Sequence, residues 1–597
     1  MGSIAFALFR AADVDESCVR AMLAVAPHRG SDVKLLRAGR AVLGFSDHPD
    51  RVEGDLATGS GLTAVFTGSI DNAASLATEF GGAGRSLDPT RPAQLLVAGF
   101  ERFGDALPSR LRGVFAAAVS DGQQIWSFRD HIGFRSLFYR DAPDAFFGAT
   151  EAKQVVAGAA ITKEPDVEVL EAIFFREYDD ETPSALRGVR RLPKGRILRA
   201  GFEGSAIRRY WQPESLIESA DFSEEETIER FGALMEQATR RAFAGDDVVS
   251  LSGGIDSPAV AAFAAPQYLE TYGKPLAALT ALYPDQPSVD ESGYVEEIAR
   301  SLEMPLFTYD RTAEPLGRAQ EWADLADGPV PRLLLSDAEE HFGYARKFGF
   351  RSMMTGEIAE FVIDMRRFLL AHLLRRGRFG ALMEHARAQR TRGVGALGLA
   401  RQLTPALAPR RAQALYMARN AGPAATRAPA WMDATRIRRA NADFAVPAVD
   451  RWRRQQLMGF IGPGLTLEAS EICEDVCGVR TRRPWADVDL WEFFLSLPAE
   501  IKHPTVQRKG LVRRLLRGRV PDVILDRQDK TVFDESIAAR IDYQELRRWL
   551  VEPKQRLRGI DYRLLADRLD TESLDVIGYQ WARDLAQTHA FLSLWDQ

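Results

Sequence analysis

One six-residue string, Ser252-Gly253-Gly254-Ile255-Asp256-Ser257, constrains this chain more than any other feature. The apolar run Val248 to Leu251 precedes it, and a helix-like stretch from Pro258 to Ala265 follows. That order reads as a strand ending at the carboxyl edge of a parallel sheet, where such folds bind ligands. Gly253 and Gly254 let the backbone turn sharply and approach a ligand closely. Their N–H groups, with the hydroxyls of Ser252 and Ser257, make an anion cradle at a helix N-terminus. Asp256 would repel a phosphate unless a cation stood between them. Mg²⁺ bridging that carboxylate to phosphate oxygens resolves the conflict. The Gly-Lys-Ser/Thr ending of the P-loop is missing, so this is a different phosphate grip.

The 597 residues are enough for two to four domains with full cores. Strand-like runs at 62–67, 114–120 and 124–128, punctuated by Gly, Asp and Pro, make the first 200 residues β-rich. Asp130-His131-Ile132-Gly133 and Leu192-Pro193-Lys194-Gly195 read as turns before further strands. The polar segment 206–222 reads as a linker after a first domain over 1–205. From Ser223, which caps Glu224-Glu225-Glu226, helices alternate with strands at 248–251, 276–282, 306–309 and 352–355. Such alternation predicts a doubly wound parallel sheet with helices on both faces over 223–597. Residues 366–440 carry few strand signals and read as a helical insertion. Its pairs Arg366-Arg367, Arg375-Arg376 and Arg410-Arg411 alternate with apolar residues as solvated helix faces do.

The net charge of -6 gives no electrostatic footprint for nucleic acid. Three cysteines are too few for a disulfide framework, and Cys473 and Cys477, one helical turn apart, read as packing residues. The start lacks the pattern of a signal peptide, and no apolar run reaches the ~18 residues that cross a bilayer. The expectation is a cytoplasmic enzyme without a membrane partner.

Ser252 to Ser257 resembles the pyrophosphate loop of enzymes that cleave ATP between the α- and β-phosphates. The whole chain resembles class B asparagine synthetase and its relatives. The N-terminal resemblance rests on His28-Arg29-Gly30-Ser31-Asp32, Thr67-Gly68-Ser69-Ile70-Asp71-Asn72, Arg129 to Gly133 and Leu192 to Gly195. It implies an αββα sandwich of the Ntn-hydrolase, amidotransferase type. Thr355-Gly356-Glu357-Ile358-Ala359-Glu360, Gln507 to Leu511 and Asp526 to Lys530 resemble three further family segments. The resemblance implies ATP contacts at Leu251, Ser252, Gly253, Gly254, Asp256 and Ser257, and at Thr280, Thr355, Gly356 and Lys509. It implies Mg²⁺ on Asp256 and Glu360, the latter standing where the family usually has Asp. Glu357 matches a catalytic acid, and Lys530 a group that stabilises the developing charge or helps pyrophosphate depart.

A working glutaminase of that family carries Cys at position 2, as nucleophile and free amine. Here Gly2 stands there, and Thr67-Gly68-Ser69 replaces the usual Asn-Gly-Glu. The acid expected near residue 91 is absent as well. These losses imply an inactive amidotransferase fold and a nitrogen source other than glutamine. Two branches of the family share the loss. β-Lactam and carbapenam synthetases close small rings, and lasso-peptide macrolactam synthetases join a peptide's N-terminal amine to an Asp or Glu side chain. β-Lactam synthetase has Tyr where Glu357 stands, which favours the lasso branch, and the Arg-rich insertion suits a larger substrate. That branch implies a precursor peptide as partner, with a leader peptidase and a leader-binding protein in the same pathway. A small-molecule amide synthetase and a non-catalytic nucleotide-binding protein are the alternatives.

Overall fold

A computed structural model describes residues 2–595, apart from 12, 49–52, 82–85, 178–181, 331–333, 367, 408–427, 434, 437–451, 454, 458–464, 506, 528–530, 532 and 572–573. The N-terminal region is two six-stranded sheets packed face to face. The first runs in the order 190–191, 138–141, 145–149, 3–9, 41–47, 32–38; the second in the order 204–209, 196–201, 125–129, 113–120, 62–70, 54–59. Strand Ser3–Phe9 is buried throughout because both of its faces are covered. Ile4, Phe6 and Leu8 point inward to Val65, Ala116 and Leu198 of the second sheet. Ala5 and Ala7 point outward to the helices Glu16–Ala24 and Ala152–Gly158. Phe66, Phe115 and Ala117 repeat the pattern toward the helix Pro92–Phe103. Period-two alternation with apolar residues on both faces thus produces an αββα sandwich.

Strand Gly204–Arg209 belongs to the second sheet and runs into the segment expected to be linker. It is an edge strand with mostly exposed side chains, so its sequence is as polar as a loop. A 3₁₀ turn at Pro213–Ser215 follows.

The C-terminal region is built on a five-stranded sheet in the order 306–310, 277–282, 247–250, 352–354, 480–482, with every pair parallel. Val248 packs on one face with Leu279 and Met353, and Val249 packs on the other with Ala278 and Met354. Both faces are covered, as a doubly wound sheet requires. The chain begins at the central strand, fills one side, then crosses to the other. The carboxyl ends of Asp247–Ser250 and Ser352–Met354 therefore flank a topological switch point, which opens a crevice.

The helices Leu369–Arg375, Phe379–Thr391 and Ala396–Leu407 lie in the expected insertion, whose described residues 428–433 bury Trp431 and Met432; Arg410-Arg411 lies outside the described residues. Cys473 is buried on the helix Leu465–Cys477, with its sulfur 4.0 Å from that of Cys477. Among the described residues no helix is long and apolar enough to cross a membrane.

A buried seam of ion pairs joins the two regions. Glu468, Glu471 and Asp475 lie on one face of the helix Leu465–Cys477, at i, i+3 and i+7. Arg191 makes a bidentate contact with Glu468, at 2.5 and 3.0 Å. Arg29 donates to Glu471 and Asp475 at 2.6 Å each, and Arg135 donates to Glu471 at 2.5 Å. The other Glu471 oxygen accepts from the Ser136 amide and hydroxyl. Burial opposes ionisation of Glu471, but Arg29 and Arg135 outweigh it and hold the carboxyl down to about 2. Its folded pKa lies below the ordinary value, so its contribution is present above pH ~4.5 and is lost as pH falls toward 2. Glu471→Gln leaves two buried guanidiniums short of charge and should cost about 3–5 kcal/mol in denaturant unfolding. A cost below about 1 kcal/mol would show that the seam is dispensable.

Candidate active site

The crevice at the switch point is lined by the loop that the sequence singles out. The Leu251 amide donates to the Leu279 carbonyl at 3.0 Å, carrying the strand ladder to the edge of the loop. The Ser252 amide then donates to the Ser257 hydroxyl at 2.9 Å, and the two hydroxyls lie 3.0 Å apart. These bonds close the loop on itself and leave the helix Asp256–Tyr272 to start at its far end. Gly253 is required by its surroundings, since an added Cβ would lie 2.9 Å from the Arg527 guanidinium and 3.0 Å from Glu291 and Tyr294.

Thr355-Gly356 meets this loop from the neighbouring strand. A Cβ at Gly356 would lie 2.4 Å from the Ser257 nitrogen and 2.7 Å from the Asp256 carbonyl carbon. Only glycine allows the two segments to touch. The Asp256 carbonyl accepts from the buried Trp485 indole at 3.0 Å, and Trp491 in turn donates to the Trp485 carbonyl at 2.6 Å. Lys509 caps the helix Gly510–Leu516 in a left-handed conformation, φ 56°, and its ammonium donates to the Asp256 carboxylate.

Ser252, Thr280, Thr355 and Glu357 line a cleft of about 270 Å³ together with Leu251, Glu291 and His341. Glu357 is half exposed; its Oε2 accepts from Arg483 at 2.8 Å. Glu360 lies in the first turn of the short helix Ala359–Ile363. Asp364, just past that helix, pairs with Arg508 at 2.6 Å. Lys530 lies outside the described residues.

Two groups that sequence reasoning passes over also belong to the cleft. Glu291 accepts from the Gly253 amide at 2.9 Å, so a carboxylate occupies one donor of the anion cradle. Arg527 and Thr531 hold that carboxylate at 2.8 and 2.7 Å. His341 bridges the Ser250 hydroxyl at 2.9 Å and the Tyr309 hydroxyl at 2.8 Å. Burial first, and then Arg311, depress its pKa to about 3, so the ring is neutral at physiological pH. An Asp-Glu pair before a helix looks like ordinary N-terminal charge, and a lone histidine on a helix carries no signal of its own.

Gly2, where the resemblance puts a nucleophile, is tightly packed. The Gly2 carbonyl accepts from the Thr67 hydroxyl at 2.8 Å and from Arg135 at 3.3 Å. A Cβ at Gly2 would lie 2.9 Å from the Ser46 carbonyl and 3.1 Å from the Asp47 carboxylate. Arg135 also contacts the Thr67 hydroxyl, and Arg480 pairs with Glu53. Among the described residues, buried ion pairs and the Asp47 carboxylate face this region.

For divalent metal, the donor chemistry fits. Asp256 offers hard carboxylate oxygens, already attracts a cation in Lys509, and is brought against the Glu357–Glu360 segment by Gly356. Among the described residues no group of three or more His, Cys, Asp or Glu could hold a metal alone, so phosphate oxygens would complete any coordination. Gly356→Ala should lower stability by about 1–3 kcal/mol through overpacking. It should also shrink the thermal shift produced by ATP; a full shift would show that the contact does not shape the nucleotide site.

Comparison with known proteins accords with this architecture. The family model described as asparagine synthase matches residues 230–597, and that described as glutamine amidotransferase domain matches residues 1–211. Asparagine synthetase [glutamine-hydrolyzing] 3 of Bacillus subtilis is 28% identical over 222 residues, covering 36% of each chain. A putative asparagine synthetase [glutamine-hydrolyzing] of Mycobacterium bovis is 29% identical over 181 residues, 29% of this chain and 28% of that protein. A Gibberella zeae protein named amidase chry2 is 27% identical over 327 residues, 50% of this chain and 46% of that protein. The matched stretch spans about a third of the length of the two synthetases. With more than half of its length matched by the synthase model, on a parallel sheet whose switch point carries the glycine loop, the chain belongs to the asparagine synthase family.

Proposed function

We propose that the protein uses ATP to activate a carboxylate as an acyl-adenylate and passes the acyl group to an amine. We propose further that both groups belong to one peptide, the amine being its N-terminus and the carboxylate an Asp or Glu side chain. The observation that carries the reading is the contrast between the two regions. The Ser252 loop is complete and touches Gly356, whereas the site that would release ammonia from glutamine holds Gly2 and packed ion pairs. An enzyme that keeps activation and lacks its nitrogen source suits a substrate that brings its own amine. Helices 369–407 follow the Glu357–Glu360 segment in the chain and offer surface to a substrate larger than an amino acid.

In the first step the carboxylate oxygen bonds to the α-phosphorus and the bond to pyrophosphate breaks. The cradle at Ser252 to Ser257 and the Lys509 ammonium hold the departing pyrophosphate. Mg²⁺ bound by Asp256 and Glu360 would supply charge neutralisation at the phosphates. In the second step the amine nitrogen bonds to the acyl carbon, AMP leaves, and the amine proton passes to Glu357. Lys530 balances the charge that develops on the acyl oxygen. Holding both ends of one peptide replaces a bimolecular encounter with an effective molarity of up to about 10⁵–10⁸ M. A leader peptidase and a leader-binding protein would deliver the peptide.

Incubation with ATP and a synthetic core peptide should yield AMP, pyrophosphate and a product lighter by one water. ADP in place of AMP would overturn the reading. Asp256→Asn should reduce pyrophosphate exchange at least about 100-fold, because charge at the phosphates is lost. Retained exchange would remove Asp256 from the phosphate site.

A further inference from the structure

Arg483 stands where the activation cleft and the N-terminal region meet. Its side chain is 9% exposed, and its Nε and Nη2 are both engaged. Nε donates to Glu357 Oε2 at 2.8 Å; Nη2 donates to Glu474 at 2.8 Å and to the Ser470 hydroxyl at 3.0 Å. The guanidinium lies over the Phe134 ring, 4.9 Å from its centroid. Phe134 leaves the turn in which the Asp130 carboxylate gathers the amides of Ile132, Gly133, Phe134 and Arg135. Four backbone donors on one carboxylate make that turn rigid, so Phe134 is a fixed platform.

Glu357 is 56% exposed, and nothing in its own short loop holds it. A half-exposed glutamate has several rotamers, and only some would aim an oxygen at an amine beside the adenylate. A guanidinium donating through Nε to one carboxylate oxygen selects the rotamer and leaves the second oxygen to the cleft. The other titratable groups lining this cleft, among the described residues, are Tyr283, Glu291, Arg311, Asp337 and His341. Arg311 pairs with Glu340 at 2.9 Å and Glu291 with Arg527, so among the described residues Arg483 is the cation seen to pair with Glu357.

We infer that Arg483 is a positioning residue for Glu357 in the acyl-transfer step, seated by Phe134. The N-terminal region, without a nucleophile of its own, thereby contributes to amide formation as a platform. This rests on the proposed acyl transfer, and adenylation does not call on Glu357. The inference predicts a split between the two half-reactions.

The experiment compares Arg483→Met, Arg483→Lys and Phe134→Leu in the full chain. Adenylation is read by pyrophosphate exchange and by hydroxamate formation, since hydroxylamine attacks an acyl-adenylate without a base. Amide formation is read with the synthetic core peptide. Arg483→Met should lower amide formation at least tenfold more than exchange. Arg483→Lys should recover little of the rate of amide formation, because a lysine cannot reproduce the fork. Phe134→Leu should shift the ratio of the two rates in the same direction. In a Glu357→Gln background Arg483→Met should add nothing. Equal losses in both half-reactions, or full additivity with Glu357→Gln, would overturn the inference. Failure of the wild-type chain to exchange pyrophosphate would instead overturn the proposed function, and the two failures are read separately.

Discussion

The contact on which the site depends is between two backbones. Gly356 lies against the amide of Ser257 and the carbonyl of Asp256, closer than any side chain would permit. The strand order of the sheet creates the opening, because successive strands are laid down on one side of Asp247–Ser250 and then on the other, and the neighbouring loops diverge there. The glycine then brings the two segments that border the opening into contact. Everything chemical is arranged around it. Asp256 and Lys509 face each other, Trp485 holds the Asp256 carbonyl, and Glu357 follows Gly356 directly.

The N-terminal sandwich is tied to the C-terminal region through buried charge. Arg29, Arg135 and Arg191 are buried in it and find their acids on a single helix of the other region. Buried charges of this kind are costly to separate, so the two regions behave as one structure. The helix that receives them also carries Glu474 and Ser470, the partners of Arg483. Rigidity imposed at the seam is therefore delivered one turn away from the residue that holds Glu357.

Much of this was legible from sequence, for physical reasons. The apolar run before Ser252 and the glycines after it state a strand and a turn within one short window. Alternating strands and helices after Ser223 announce the parallel sheet in the same local way. The polar edge strand 204–209 was illegible, since its alternation has no buried face to display. The seam was illegible because Arg29 and Glu471 are 442 residues apart and each alone looks like a surface charge. Glu291 and His341 were missed for a related reason. Their meaning comes from the Gly253 amide and the Tyr309 hydroxyl, which sequence spacing does not place beside them.

The central claim is that a carboxylate oxygen attacks the α-phosphorus of ATP. A core peptide labelled with ¹⁸O in its side-chain carboxylate tests this most directly. The account predicts one labelled oxygen in the AMP released with each amide bond. Label in inorganic phosphate, with none in AMP, would show attack at the γ-phosphorus and contradict it.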